Sequence, residues 1–157
     1  MYHIRKATVA DVSVILDIYN DGNSVFGWPA QDIKSTFEEQ VQNGIVFIME
    51  DNEQPIAFIS MQPVLKEGTH IFMSALYVLK ERQRSGIGSE LLEYAEKEIS
   101  KAGKSKKIVL KALKPCLWVE TFYKKNGYTA LDSKTGDTIL DIYFPAKSFE
   151  TVMFKNV

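Results

Sequence analysis

The hydrophobic and polar positions of this chain change period several times, and each change marks an element. Residues 2–7 read as a short strand, and Thr8-Val9-Ala10-Asp11 as a helix start, with Thr8 as the cap and Asp11 suited to the positive end of the helix. Val12, Ile15, Leu16 and Tyr19 then recur with helical spacing. Residues 20–30 are rich in turn formers yet carry Phe26 and Trp28. Ile33, Phe37 and Val41 at fourfold spacing predict a second helix, ended by Gly44. Apolar runs at 45–50 and 56–65 predict two strands separated by Asp51-Asn52-Glu53-Gln54, and 66–69 turns again. The run 71–78 has the length and unbroken hydrophobicity of a strand buried on both faces. Three strands joined by short turns predict an antiparallel meander.

After that strand come a charged turn, Gly86-Ile87-Gly88, and apolar residues at Ile87, Leu91, Leu92, Ala95 and Ile99, the spacing of one helical face. A strand follows at 106–110, and a strand, helix, strand unit makes the two strands parallel neighbours through a right-handed crossover. Trp118, Val119 and Phe122 form a short helical face closed by Asn126-Gly127. The remainder predicts a hairpin, with strands at 129–132 and 139–144 around a turn at 133–137. Phe149, Val152, Met153 and Phe154 make 146–157 too apolar for a loose extension, so it is expected to pack on the sheet or on a second subunit, as in a homodimer. The fold class is therefore α/β with a mixed sheet of about seven strands and about four helices, in one domain spanning 1–157.

The glycine turn carries the first chemical signal. At the start of such a helix the backbone N–H groups lack intrahelical partners, and glycines let an anion approach the backbone, so a phosphate ligand fits between Arg84 and Ser89. A nucleotide P-loop is excluded because Gly86-Ile87-Gly88-Ser89 lacks its lysine, and a dinucleotide fingerprint because Leu91 stands at the third glycine position. The planar fork of Arg84 suits phosphate oxygens as a side-chain ligand as well. Lys101, Lys104, Lys106 and Lys107 cluster nearby in sequence and read as solvated surface.

Composition narrows the classes. Nineteen Lys and Arg against twenty Asp and Glu give a net charge of -1, which removes electrostatic support for a nucleic-acid partner. Cys116 is the sole cysteine, so an internal disulfide and a Cys-rich zinc site are excluded, and no metal is expected. We read Cys116 as a small buried residue; a cysteine nucleophile needs a positioned histidine, and neither His3 nor His70 is near it in sequence. Met1 to Lys6 has no apolar signal core and no segment approaches eighteen apolar residues, so a cytoplasmic protein without a membrane partner is the expectation.

Gln83-Arg84-Ser85-Gly86-Ile87-Gly88 resembles the Gln/Arg-x-x-Gly-x-Gly/Ala signature of the GNAT superfamily of N-acetyltransferases, with Leu76-Tyr77-Val78 at the usual distance before it. Phe122-Tyr123-Lys124-Lys125-Asn126-Gly127-Tyr128 resembles a second segment of that family, Phe-Tyr-x-Lys-x-Gly-Phe/Tyr. The resemblance implies a GNAT-like fold in which backbone amides of Gln83, Arg84, Ser85, Gly86, Ile87, Gly88 and Ser89 hold the pyrophosphate of acetyl-coenzyme A, while Leu76, Tyr77 and Val78 pair with its pantetheine arm. It implies that Tyr123 lies near the thioester sulfur. A tyrosine at about 10 can protonate a departing thiolate whose thiol titrates at about 8.5. Phe26 and Trp28 either plug the core beneath their loop or line the acceptor pocket that this loop borders in the family. The sequence departs from the family at Cys116, where many members carry an asparagine that contacts the cofactor. No general base is marked: His70, Glu38 and Glu39 are candidates whose ordinary reading is solvated surface. The implied function is acetyl transfer from acetyl-coenzyme A to a primary amine of a small molecule or a protein. The alternatives are transfer of another acyl group and a coenzyme A sensor of the same fold without turnover.

Overall fold

A strand places successive side chains on opposite faces, so a strand covered on both sides must be apolar at every position. Residues 46–49, buried throughout, form such a strand. The computed structural model describes residues 1–65, 68–131, 137–145 and 149–157. Its seven strands follow the order β1-β2-β3-β4-β5-β7-β6. The chain divides into two units, Met1–Gln62 with Met73–Lys101, and Pro63–Phe72 with Ala102–Val157.

In the first unit β1 (Tyr2–Lys6) pairs antiparallel with β2 (Ile45–Asp51) across two intervening helices, β2 pairs antiparallel with β3 (Gln54–Pro63) through a short turn as expected, and β4 (His70–Val78) is the next neighbour of β3 in the sheet. Asn52 and Glu53 both take positive φ, 50° and 65°, the backbone a two-residue hairpin turn requires. Val46 and Ile48 of β2 pack with Ile15 and Ile18 of α1 (Val12–Asn23) and Phe37 of α2 (Lys34–Asn43). Phe47, pointing the other way, meets Tyr94 of α3 (Ile87–Ser100) edge to face at 5.3 Å. Helices thus cover both faces, and the predicted stripe Ile87, Leu91, Leu92, Ala95 and Ile99 is the buried face of α3.

The entry to α1 is fixed by charge. Arg5 donates two 2.8 Å hydrogen bonds to Asp11 and a third of 2.8 Å to Glu50, and Asp11 accepts the Thr8 N–H at 2.7 Å. Thr8 precedes a single 3-10 turn, Val9–Asp11, before α1 proper begins.

In the second unit β5 (Lys107–Leu113) runs parallel to β4, paired at His70 with Lys107, Ile71 with Ile108 and Phe72 with Val109. Its other edge pairs antiparallel with all of β7 (Glu150–Asn156), and β7 in turn pairs with β6 (Thr129–Ala130). On one face Val109 and Val152 pack with Leu140 and Phe144 at α5 (Thr138–Tyr143). On the other stands α4 (Leu117–Lys125), whose Glu120 accepts a hydrogen bond from Thr151. Gly127, at φ 91°, ends α4 in the left-handed region, with Gly127 N–H on Lys124 O and Tyr128 N–H on Tyr123 O, both 3.0 Å.

Several expectations need correction. The strand predicted at 139–144 is helix α5. Asp137 accepts the Ile139 and Leu140 N–H groups at 3.0 and 3.1 Å, and helical spacing buries Leu140 and Phe144 while Ile142 and Tyr143 face outward. There are accordingly five helices among the described residues rather than four. The extension at 146–157 contains β7, so Val152, Met153 and Phe154 belong to the sheet itself, while Phe149 precedes it and is exposed. β4 is not buried on both faces: Ile71, Met73 and Ala75 are buried and the residues between them only partly. Cys116 is half-buried rather than buried. The turn expected at 133–136, residues 66–67 of the earlier turn and the start of the extension at 146–148 lie outside the described residues. Among the described residues no helix is long and apolar enough to cross a membrane.

The Arg5 guanidinium holds the Asp11 carboxyl at about 2, below its ordinary 3.8; Thr8 adds to this and burial opposes it. Because the folded-state value is the lower one, this stabilisation is present above about pH 4 and is lost as the pH falls through 2. Urea denaturation between pH 2 and 5 is expected to show an acid limb of about 1 kcal/mol that Asp11→Asn flattens.

Candidate functional site

The turn predicted to bind a phosphate is the junction between β4 and α3. β4 ends at Val78, Leu79 N–H bonds to Ile56 O at 2.9 Å, and a 3-10 turn, Lys80–Arg82, follows. Gln83 sends its side-chain amide back to the Val78 carbonyl at 3.0 Å, Ser85 Oγ donates to Arg82 O, and the Arg82 guanidinium meets Asp51 at the end of β2 at 3.0 Å. Arg84, at φ 61°, and Gly86, at φ 87°, are both left-handed. Alternating such conformations along a turn gathers successive N–H groups on one concave side.

α3 begins immediately after Gly86, which offers no side chain as a cap, and the first bond of the helix runs from Glu90 N–H to Gly86 O at 3.0 Å. The N–H groups of Ile87, Gly88 and Ser89 therefore precede the intrahelical ladder, at the positive end of a helix of 14 residues. A Cβ placed on Gly86 would meet nothing within 4 Å, so the space above the turn is open. Arg84, Ser85 and Gly86 are exposed, whereas Ile87 is buried and anchors the helix start. The arrangement suits a phosphate or pyrophosphate bound by backbone donors.

The other sequence-predicted residues are distributed as follows. Leu76 and Val78 are half-buried, and the ring of Tyr77 packs into the core of the first unit, stacked on Phe58 at 5.8 Å and edge to face with Tyr19 at 4.8 Å. Burial pushes the Tyr77 hydroxyl up to about 12; nearby Tyr19 adds to the shift, while a hydrogen bond from Asn23 opposes it. Phe26 and Trp28 stack on each other with centroids 4.7 Å apart, Trp28 being 43% exposed. The Asn20 side chain both donates to and accepts from the Gln31 backbone at 2.9 Å, which ties the two ends of their loop. In the second unit Tyr123 is half-buried on α4, edge to face with Phe122 and Tyr128. Cys116 occupies the residue before α4, its N–H on Leu113 O and its O accepting from Val119 N–H. Glu38 is half-buried and Glu39 exposed on α2.

Sequence reasoning missed two features. Asp21, Gly22 and Asn23, read as turn formers, are the last turn of α1, and Asp21 accepts the Lys80 N–H at 2.6 Å. The available signal was a glycine inside a helical stretch, which marks a close approach of backbones. His70 is no surface residue: its ring bonds Asp137 at 2.9 Å and Thr69 at 3.0 Å, and Lys107 reaches the same Asp137 oxygen at 2.8 Å. Lys106 donates to Gly68 O at 2.6 Å, so neither Lys106 nor Lys107 is simply solvated. Burial pushes the Asp137 carboxyl up, but the bonds from Lys107, His70 and Leu140 outweigh it and hold it well below the usual carboxylate range. Among the described residues no group of His, Cys, Asp and Glu could hold a metal ion.

The family model described as acetyltransferase (GNAT) domain matches residues 42–130. No curated protein matches the chain. Among solved structures it is similar to the PaiA N-acetyltransferase of Thermoplasma acidophilum in complex with coenzyme A, at 16% identity and a TM-score of 0.79, over 100% of this chain and 99% of that one. It is similar to the ribosomal-protein-S18-alanine N-acetyltransferase of Escherichia coli at 20% identity and a TM-score of 0.77, over 100% and 94%. It also resembles N-acetylglutamate synthase of Neisseria gonorrhoeae complexed with coenzyme A and N-acetyl-glutamate, at 15% identity and a TM-score of 0.74, over 99% of this chain and 35% of that one.

Asp137 joins β4, β5 and the cap of α5, so Asp137→Ala is expected to lower the unfolding free energy by about 1 to 3 kcal/mol in urea, leaving His70 and Lys107 short of a partner.

Proposed function

This chain belongs to the GNAT acetyltransferase family, and on that premise we propose that it transfers an acetyl group from acetyl-coenzyme A to a primary amine of a small molecule or a protein. The observation that carries the reading is the start of α3, where backbone donors without a side-chain cap face open space beside a left-handed glycine. These residues fit the pyrophosphate of coenzyme A: the N–H groups of 83–89 supply donors, the helix end supplies positive potential, and Arg84 supplies a side-chain cation. The coenzyme A complexes of the Thermoplasma and Neisseria proteins support the same ligand here. β4 continues six residues beyond Phe72, its last position paired with β5. That stretch includes Leu76, Tyr77 and Val78, whose backbone suits a pantetheine arm laid along it as an added strand.

When bound, the cofactor supplies an acetyl group activated as a thioester. Backbone at Val78 would polarise the acetyl carbonyl and stabilise the charge that builds there. By the family resemblance Tyr123 would supply the proton for the departing sulfur, and the amine would attack in its neutral form. Phe26 and Trp28 border the acceptor side, on a loop that Asn20 holds closed at Gln31. We read 1–157 as one acetyltransferase domain, with β7 inside it.

Thermal unfolding with and without acetyl-coenzyme A tests the cofactor site. At about a hundred times its dissociation constant the ligand is expected to add about 2.7 kcal/mol to wild type, and nothing to Gly86→Glu, whose carboxylate blocks the turn. Gly86→Ala serves as the control: it carries the left-handed strain, about 1 to 2 kcal/mol, without the blocking charge, and keeps the shift. No shift in folded wild type overturns the assignment. For catalysis, Tyr123→Phe is expected to lower turnover about 10² to 10⁴-fold with cofactor affinity retained. Binding by wild type with no turnover against a broad amine panel would instead assign a coenzyme A sensor.

A further inference from the structure

A turn that must present its N–H groups to a ligand cannot be packed from the ligand's side, so it has to be held from behind. We propose that Asp21 is the residue that does this: a positioning residue for the cofactor turn, acting through the Lys80 backbone N–H. The proposal rests on the acetyl-coenzyme A reading above and goes beyond it, since neither signature includes α1.

Lys80 opens the 3-10 turn that leads to Gln83 and Gly86, and the first N–H of such a turn has no partner within it. Asp21 Oδ2 supplies that partner at 2.6 Å, from a helix that lies 59 residues earlier in the chain. A charge-assisted bond of this length fixes both the position and the tilt of the first peptide of the turn. The contact at the other side of the turn, Arg82 with Asp51 at 3.0 Å, is a second and longer restraint, made by a side chain rather than by the backbone of the turn.

The two residues after Asp21 extend the grip along β4. A Cβ on Gly22 would lie 3.0 Å from Tyr77 Cδ1 and 3.2 Å from the Val78 carbonyl oxygen, so a side chain here would press the end of α1 against the strand. Asn23 is 4% exposed, and its side chain lies beside the Tyr77 hydroxyl. Three consecutive residues therefore hold Lys80, Val78 and Tyr77, the stretch in which β4 becomes the turn. The cavity at this joint, about 610 Å³, is walled by Asp21, Leu79, Lys80 and Glu81.

The test is calorimetric titration of acetyl-coenzyme A into wild type, Asp21→Ala, Asp21→Asn and Gly22→Ala, with amide exchange measured over 79–86 in the unliganded proteins. Asp21→Ala is expected to weaken binding about tenfold or more and to speed exchange at Lys80 by a similar factor. Asp21→Asn keeps a carbonyl oxygen facing Lys80 N–H and is expected to stay within about threefold of wild type, a rescue that loss of mere bulk would not give. Gly22→Ala favours the helix yet wedges it off β4, so weakened binding with undiminished thermal stability marks positioning rather than general destabilisation. Wild-type affinity in folded Asp21→Ala overturns the proposal and leaves the cofactor reading intact; no binding by wild type overturns the cofactor reading and the proposal with it. If Asp21→Ala does not fold, Asp21→Asn and Gly22→Ala decide between the same outcomes.

Discussion

Backbone N–H groups at the head of a helix are strong donors with nowhere in the helix to go, and in this protein those of Ile87, Gly88 and Ser89 are also denied a side-chain cap. Much of the surrounding architecture follows from keeping them in place and unobstructed. Ile87 is buried and pins the first turn of α3 to the sheet, while Gly86 leaves the space above it open. Left-handed backbone at Arg84 is unfavourable for a residue with a Cβ, and it is sustained by the bonds of Gln83 and Ser85 on either side. A single structural demand, donors facing solvent, thus accounts for a strained residue, a glycine and a set of inward-facing polar side chains.

β4 serves different ends along its length. Its first three residues are paired with β5, and those pairs belong to the second unit; from Met73 onward the strand belongs to the first, where Ala75 and Tyr77 pack beneath α1. Each unit has its own polar hub. Arg5, Asp11 and Glu50 set the entry to α1, and His70, Lys107 and Asp137 set the entry to α5. In both hubs a carboxylate satisfies backbone N–H groups near a helix start while it pairs with a cation from a strand, so a local cap is tied to a distant element.

What could be read from the sequence was whatever is fixed by neighbours in the chain. The β4, turn, α3 passage was legible because strand length, glycine spacing and helical periodicity are local properties, and its signature, with the second at 122–128, pointed to the family. Residues 139–144 were misread because Ile-Leu-Asp-Ile-Tyr-Phe has the composition of a strand. The helix there depends on Asp137, which is held by residues far away in the sequence. Asp21, Gly22 and Asn23 have turn composition and helical structure for the same reason, being held by contacts with β4 and Lys80. His70 could not be told from a surface histidine until Asp137 was placed beside it. The half-buried face of β4 was invisible because an apolar residue carries no mark of whether protein or a ligand covers it.

β7 lies between β5 and β6 in the sheet, although β5 and β6 both precede it in the chain. During vectorial synthesis β5 emerges from the ribosome with one whole edge of N–H and C=O groups unpaired, and it must wait for the chain through Asn156 before that edge is closed. An apolar strand with a waiting edge is a template for pairing with another nascent chain. The short β5, which carries Lys107 and Lys111 and is flanked by Lys106 and Lys114, limits that hazard, because charge on a bare edge discourages a second copy from adding to it.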